Sequence, residues 1–448
     1  MALPPRIEGV LRGRRRLPAT GLAYPARRFI EREGASGRLL MVAAAIALAW
    51  ANSPWSDAYG SVWGHEVTFD LGGLEVRESL RAWINDGLMT VFFFLVTLEV
   101  KRELIGGTLA SRRTAAFPVA AALGGMLAPA AIYLSISLVT GAPARGWGVP
   151  IATDVAFVLA GLAFISPGAP PVMVTFLLTL AVVDDIGAIV VIAAFYSTSI
   201  DWAALGVVVV IVGIIVGMQR LGLRMRTLYA TAAVALWLAV HESGVHATLA
   251  GVILAALTPA SPSLELPEFQ RRAPALMDRI QEDDPDQDAE PERALGELEE
   301  LTSRTEAPLE RLENAFQPWS GYVILPLFAL ANAGIRIDPG TLVASLTSHI
   351  ALGVALALAL GKPLGIVGGS WLARASGLAE PPDGLRWRHV VVVALLGGIG
   401  FTVSLFITNL AFADATAHEA KIGILAATLL ALLAATIVRR GILRDAFD

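Results

Sequence analysis

The stretch Leu178–Ile192, "LTLAVVDDIGAIVVI", sets two adjacent carboxylates, Asp184 and Asp185, inside an otherwise apolar run. A carboxylate near the centre of a bilayer costs about 2.5–3.5 kcal/mol on insertion scales, so two in succession are not there for packing. Neighbours on a helix point about 100° apart. One acid can therefore face a given partner squarely while the other reaches a second wall of the same cavity. The plainer use of such an acid is to brace helices through a buried ion pair.

The rest of the chain supports a membrane reading. Of 448 residues, 55% are hydrophobic and only 16% charged, with a mean hydropathy of +0.63. Crossing a bilayer takes about 20 apolar residues, and twelve segments qualify as spans: 39–53, 86–100, 115–139, 147–166, 171–196, 201–218, 227–240, 243–258, 318–334, 347–373, 389–412 and 417–438. The expectation is one polytopic, all-α transporter domain over 39–438, not several soluble domains. With no cysteine, disulfides and thiolate metal sites are excluded.

Basic residues test this count. An even number of spans puts both termini on one side. That side then holds 28 of the 34 basic residues, the other side holds five, and Lys362 lies inside a span. This bias makes the termini cytoplasmic. Residues 1–38, with nine arginines and no lysine, read as a cytoplasmic arm rather than a signal peptide, and 439–448 as a cytoplasmic tail. Two further pieces lie outside the spans. "HEVTFDLGGLEVRESL", within 63–80, alternates apolar and polar residues about Gly-Gly and reads as an outer β-hairpin. Segment 259–316 has 16 acidic and six basic residues. It reads as a solvated acidic loop ending in an amphipathic helix.

Other polar residues fall within the spans. "GVPIATDVAFVLAG" places Thr153 and Asp154 after Pro150, where a helix interruption frees backbone carbonyls. Carboxylates, a hydroxyl and free carbonyls are hard oxygen ligands suited to small hard cations. "LALALGKPLGIVGGSW" buries Lys362, one of three lysines in the chain. Beside a carboxylate, such a lysine forms a pair that a cation can break; snorkelling to an interface is its other use. "LLGGIGFTVSLF" supplies a second glycine-rich interruption, followed by Thr402 and Ser404. One interrupted span in each half is the pattern of a transporter site built from inverted repeats.

Together "WINDGLMTVFFFLVTLEVKREL", "ATDVAF", "LTLAVVDDIGAIVVIAAFY", "SGVHATLAGV", "VILPLFALANAG", "GKPLGI" and "LLGGIGFTVSLFI" resemble the NhaA-type sodium/proton antiporters, in the same order, from about residue 35 to 438. The resemblance implies twelve helices, with spans three to five and ten to twelve as inverted repeats and discontinuous spans four and eleven crossing near the midplane. It implies that Asp185 is the main cation ligand and proton carrier, that Asp184 is its partner and pairs with Lys362, and that Thr153 assists the cation. Asp154 would balance helix-end charge at the crossing. Glu99, Lys101, Arg102, Glu103, His246 and Glu313 match positions tied to pH response. Asn314 and Gln317 depart from the family there, standing where histidines are expected. The implied protein is an electrogenic Na⁺ or Li⁺/H⁺ antiporter of a bacterial-type inner membrane, homodimeric through the outer hairpin. It is not an enzyme and has no resident cofactor; Na⁺, Li⁺ and H⁺ are its cargo. It needs neither ATP nor nucleic acid, and no phosphate loop of the GxxxxGK[ST] type occurs.

Three rivals share some of these features. A sodium-coupled solute symporter of related fold would need a larger cavity for an organic solute. An intramembrane aspartyl protease would need a GxGD motif, which is absent. A channel would arrange its acids symmetrically.

Overall fold

A computed structural model describes residues 23–70, 75–166, 168–197, 200–223, 225–262, 264, 266–281, 290–337, 340 and 342–442. Most of the arginine-rich arm (1–22), the Gly-Gly turn (71–74), the most acidic stretch (282–289) and most of the tail (443–448) lie outside the described residues.

The protein is mainly helical, with one small sheet. Among the described residues, six helices are long and apolar enough to cross a membrane: Gly34–Ala51, Arg112–Thr140, Pro171–Phe195, Trp202–Arg220, His349–Ala375 and Thr416–Val438. Two bent pairs raise this to eight: Ala144–Ile151 with Val155–Ile165, at 48°, and Trp387–Gly397 with Phe401–Ala411, at 42°. The other four expected segments are helical but shorter, more charged or subdivided. Met89–Gly106 carries Glu99, Lys101, Arg102 and Glu103 in its second half, and Arg226–Glu242 has 17 residues. Leu249–Leu257 has nine residues, and 318–334 joins the end of Pro308–Trp319, a π-helical turn Ser320–Ile324 and Leu325–Asn332. Length and apolarity alone therefore do not fix twelve spans. Short or irregular backbone at membrane depth is tolerated where neighbouring protein satisfies it.

The hairpin forms where alternation places it, as strands Glu66–Asp70 and Glu75–Ser79 paired antiparallel in the register Thr68↔Arg77. Isolated hairpins are marginal, and this one is anchored. Trp83 Nε1 donates to Val67 O at 3.0 Å, and Phe69 packs edge-on against Trp83 at 4.9 Å. The acidic loop departs from a single amphipathic helix. Three helices begin within it among the described residues, Leu266–Gln281, Glu290–Thr305 and Pro308–Trp319, and the first two bury Phe269, Ala273, Leu276 and Leu301 together.

The helix bearing Lys362 packs closely on Arg112–Thr140. A Cβ at Gly365 would stand 2.1 Å from Gly124 O, and one at Gly369 would stand 2.2 Å from Ala120 O, so only glycine permits this approach. The Gly-Lys-Pro sequence does not break the helix. A π-helical turn, Ala357–Gly361, comes immediately before Lys362 and widens the backbone. The wider turn accommodates Pro363, whose ring would clash with the preceding α-helical turn and which cannot donate to it.

Candidate functional site

The two bent pairs meet at their breaks. Pro150 ends the Ala144–Ile151 turns, and Ala152 and Asp154 continue with extended backbone before Val155–Ile165 begins. In the second pair the break is glycine-rich, yet Gly398 and Gly400 have ordinary negative φ. Their role is close approach. A Cβ at Gly400 would lie 2.2 Å from Ser404 Oγ and 3.1 Å from Ala152 O, and one at Gly398 would lie 2.8 Å from Leu358 O. The two backbones join directly, with Asp154 N donating to Ile399 O at 2.8 Å and Ser404 Oγ to Val149 O at 2.7 Å.

Asp154 is the acid of this junction. Its Oδ1 accepts from Phe157 N at 3.0 Å, as the N-cap of Val155–Ile165, and its Oδ2 accepts from Thr402 N at 2.9 Å, in the first turn of Phe401–Ala411. One buried carboxylate thus meets the positive ends of two half-helices.

Asp184 and Asp185 have different surroundings on the same helix. Asp184 is fully buried. Its Oδ2 lies 2.9 Å from Lys362 Nζ and accepts from Thr153 Oγ1 at 2.7 Å, while its Oδ1 has no hydrogen-bond partner. Lys362 is also fully buried, which excludes snorkelling, and it donates to Ile151 O, a carbonyl freed by the first break. Asp185 makes no hydrogen bond or ion pair among the described residues. It borders a cavity of about 90 Å³, shared with Glu99, Thr153, Asp154, Gln317 and Thr402. By the space a buried water needs, that volume holds several waters or a partly hydrated small cation. The breaks and the acidic helix thus bring Thr153, Asp154, Asp184, Asp185 and Lys362 together. The constellation has the chemistry to hold either a small cation or protons, because its carboxylates must be either matched by positive charge or neutralised.

Most residues matched to pH response gather at one end of Met89–Gly106. Glu99 borders the cavity. Lys101 Nζ donates to Ala256 O at 2.6 Å and to Thr258 O at 2.5 Å, closing the end of Leu249–Leu257, and burial pushes its pKa down. Glu103 accepts from Thr108 N at 2.9 Å and Thr108 Oγ1 at 3.1 Å. Arg102 pairs with Glu313. His246 lies apart from them: its Nε2 is 3.6 Å from Asp86 Oδ1, and its ring packs on Phe406 at 5.1 Å. Asn314 turns to Glu306 at 3.3 Å, whereas Gln317 faces the cavity.

The Arg102–Glu313 contact gives a pH prediction. Burial raises the Glu313 carboxyl above its ordinary value, against the pull of Arg102. An acid raised on folding contributes stability below its unfolded pKa and loses it as pH climbs through the folded one. Arg102→Gln leaves the buried carboxylate unmatched once it ionises. Its loss of melting temperature relative to the parent protein should therefore be larger at pH 8 than at pH 5. That difference should correspond to about 1 kcal/mol of stability, below that of a fully buried pair, because Arg102 is half-exposed. Equal losses at both values would contradict this.

Sequence reading missed a polar chain made by Asn85, Asn332 and Asn409. Asn332 Nδ2 donates to Asn85 Oδ1 at 2.8 Å, and Asn409 Nδ2 donates to Asn332 Oδ1 at 2.9 Å. Its only signal was an asparagine at the end of each of three apolar runs, which looks like ordinary helix-end chemistry until the three ends converge. Asp86 was also passed over, because it opens a run and does not interrupt one.

Residues 27–438 match the family model described as Na⁺/H⁺ antiporter 1. The chain is 44% identical over 428 residues to "Na(+)/H(+) antiporter NhaA" of Koribacter versatilis, covering 95% of this chain and 93% of the relative. It is 43% identical over 448 residues to "Na(+)/H(+) antiporter NhaA 2" of Sorangium cellulosum, covering 96% and 93%. It is also 43% identical over 411 residues to the NhaA of Rhodopirellula baltica, covering 92% of each.

Proposed function

The chain belongs to the Na⁺/H⁺ antiporter 1 family of membrane transporters, and from that premise we propose that it is an electrogenic exchanger that expels Na⁺ or Li⁺ against protons. The observation that carries this reading is the division of labour between the adjacent acids. Asp184 has a fixed positive partner in Lys362, while Asp185 stands uncompensated at a cavity of cation size. At the inner face the cation displaces protons from Asp185 and loosens Asp184 from Lys362, with the Thr153 hydroxyl as a further oxygen donor. One bundle then moves against the other, and outside protons displace the cation. The two aspartates and the lysine titrate as one set. More than one proton per cation makes exchange move net charge and respond to membrane potential. Asp154 compensates charge at the crossing and does not carry cargo, since both its oxygens accept from backbone N–H groups.

This reading includes twelve spans with two inverted repeats, each centred on a bent pair, in the inner membrane with cytoplasmic termini as the arginine bias requires. It includes a homodimer joined through the outer hairpin, and activity tuned by pH through the Glu99–Glu103 and Glu313 cluster and His246. The symporter alternative fits less well, because pockets for organic ligands measure about 300–1,000 Å³ against about 90 Å³ here.

The decisive experiment places the protein in liposomes without organic solute, imposes a Na⁺ gradient and follows lumenal pH at several starting values. Saturable proton counterflow with Na⁺ and Li⁺, changed by a clamped potential, is expected. Sodium uptake without proton movement would exclude antiport.

A further inference from the structure

Three arginines, Arg374, Arg386 and Arg388, flank the connection between Lys362–Ala375 and Trp387–Gly397. The connection is firmly held. Ala373, Ala379 and Leu385 are buried in the main core, Ala379 N donates to Ala373 O at 3.1 Å, and Leu385 N donates to Pro382 O at 2.9 Å. Arg374 sits in the last turn of its helix, where free carbonyls favour a cation, and its guanidinium carbon lies 6.0 Å from the centre of the Trp387 ring.

Arg386 and Arg388 are placed the opposite way. They are the N-cap and second residue of Trp387–Gly397, whose first turn contains no acid. The partial charge of a helix N-terminus is positive, so two guanidiniums there are unfavourable unless an anion joins them. The connection has two acids of its own, Glu380 and Asp383, that could answer this charge. Among the described residues, however, none of the three arginines forms an ion pair within 4.0 Å. Elsewhere in the chain, arginines near acids do pair, as in Arg77–Glu66, Arg102–Glu313 and Arg272–Glu268. The Nε of Arg388 is, in addition, closed off from solvent without a hydrogen-bond partner.

The surroundings have the character of a lipid interface. Trp371 and Leu372, at the end of the apolar helix His349–Ala375, are 58% and 60% exposed, and Leu378 beyond it is 78% exposed. Indole and leucine side chains facing outward beside arginines, where a span ends, have the composition of a membrane–water interface.

We propose that Arg374, Arg386, Arg388 and Trp387 form a binding site for the headgroup of an anionic phospholipid. Arg386 and Arg388 hold the phosphate at the helix N-terminus, Arg374 stays packed on Trp387, and the acyl chains run along Trp371, Leu372 and Leu378. The bound lipid neutralises the start of the half-helix whose far end, Gly397 O, lies 3.3 Å from Thr153 Oγ1. It therefore steadies one arm of the crossing. This site lies apart from the acids proposed to carry the cation, and the proposal stands whether or not the exchange reading does.

The test uses detergent-solubilised full-length protein, in which membrane insertion is already complete and the topological role of arginines no longer matters. Phosphatidylglycerol is titrated against the parent, Arg386→Gln/Arg388→Gln and, as a control, Arg271→Gln/Arg272→Gln. Binding to the first variant should weaken roughly tenfold or more, as expected for two charges lost near a lipid surface, and the control should match the parent. Brominated phosphatidylglycerol should quench the parent's tryptophan fluorescence more than that of Trp387→Phe. This second readout stands even if the double variant does not fold. The proposal is overturned if the variant binds phosphatidylglycerol as the parent does, or if phosphatidylcholine binds equally well. It is also overturned if inorganic phosphate at the same concentration displaces the lipid, which would make this a site for free phosphate.

Discussion

Asp185→Asn is expected to reduce Na⁺-dependent proton release by the purified protein to background while leaving its fold intact or firmer. Asparagine keeps the size of the side chain but can neither bind a proton at that oxygen nor match the charge of a cation. Asp185 makes no hydrogen bond or ion pair that the change would break among the described residues, and it stands at a cavity wall, not in a packed contact. Removing an uncompensated buried charge tends to stabilise a protein, so loss of exchange should come with an unchanged or higher melting temperature. That combination separates a lost ligand from a damaged structure. A variant that kept exchanging at the parent's rate would remove Asp185 from the cation path.

Lys362→Ala is expected to act mainly on stability and apparent affinity. The ammonium is the only cation within ion-pair distance of Asp184 among the described residues, and both side chains are fully buried. Taking away one partner of such a pair costs about 3–5 kcal/mol, because the remaining charge is left without compensation. Thr153 can answer only part of that loss, and Ile151 O loses its donor as well. Thermal unfolding in detergent should therefore show a large drop for Lys362→Ala and substantial recovery in Lys362→Met/Asp184→Asn, which removes both charges and refills the volume. The Na⁺ concentration for half-maximal exchange should change in the single variant more than the maximal rate does. A single variant as stable as the parent would mean that the pair is not ionised, and the role given to Lys362 would have to be withdrawn.

Much of the candidate site is legible in the sequence. An acid or a lysine in an apolar run stands out because membrane insertion penalises it, so Asp154, Asp184, Asp185 and Lys362 were found by cost alone. The breaks were legible from Pro150 and from Gly397, Gly398 and Gly400. The hairpin strands were legible from their alternation. The asparagine chain was not, because Asn85, Asn332 and Asn409 each sit near the end of an apolar run, where a polar residue is ordinary. The wide turn before Lys362 was also hidden. A proline in a helix predicts a disturbance, but whether it becomes a kink, a break or an extra residue per turn depends on what the neighbouring helix allows.

The order of residues by itself determined that this chain is a helical membrane protein, where its helices are interrupted, and which side chains carry charge into the apolar interior. Those properties follow from local chemistry: the cost of moving a group out of water, and the backbone freedom of proline and glycine. Only the tertiary structure decided what each charge meets. Asp184 and Asp185 are neighbours with the same chemistry, but the helix turns about 100° between them. One therefore meets a lysine from a distant segment and the other meets a cavity. Asp154 accepts from two backbone N–H groups because two half-helix ends converge on it. Roles of this kind depend on which groups lie within a few ångströms, and long-range packing alone sets that.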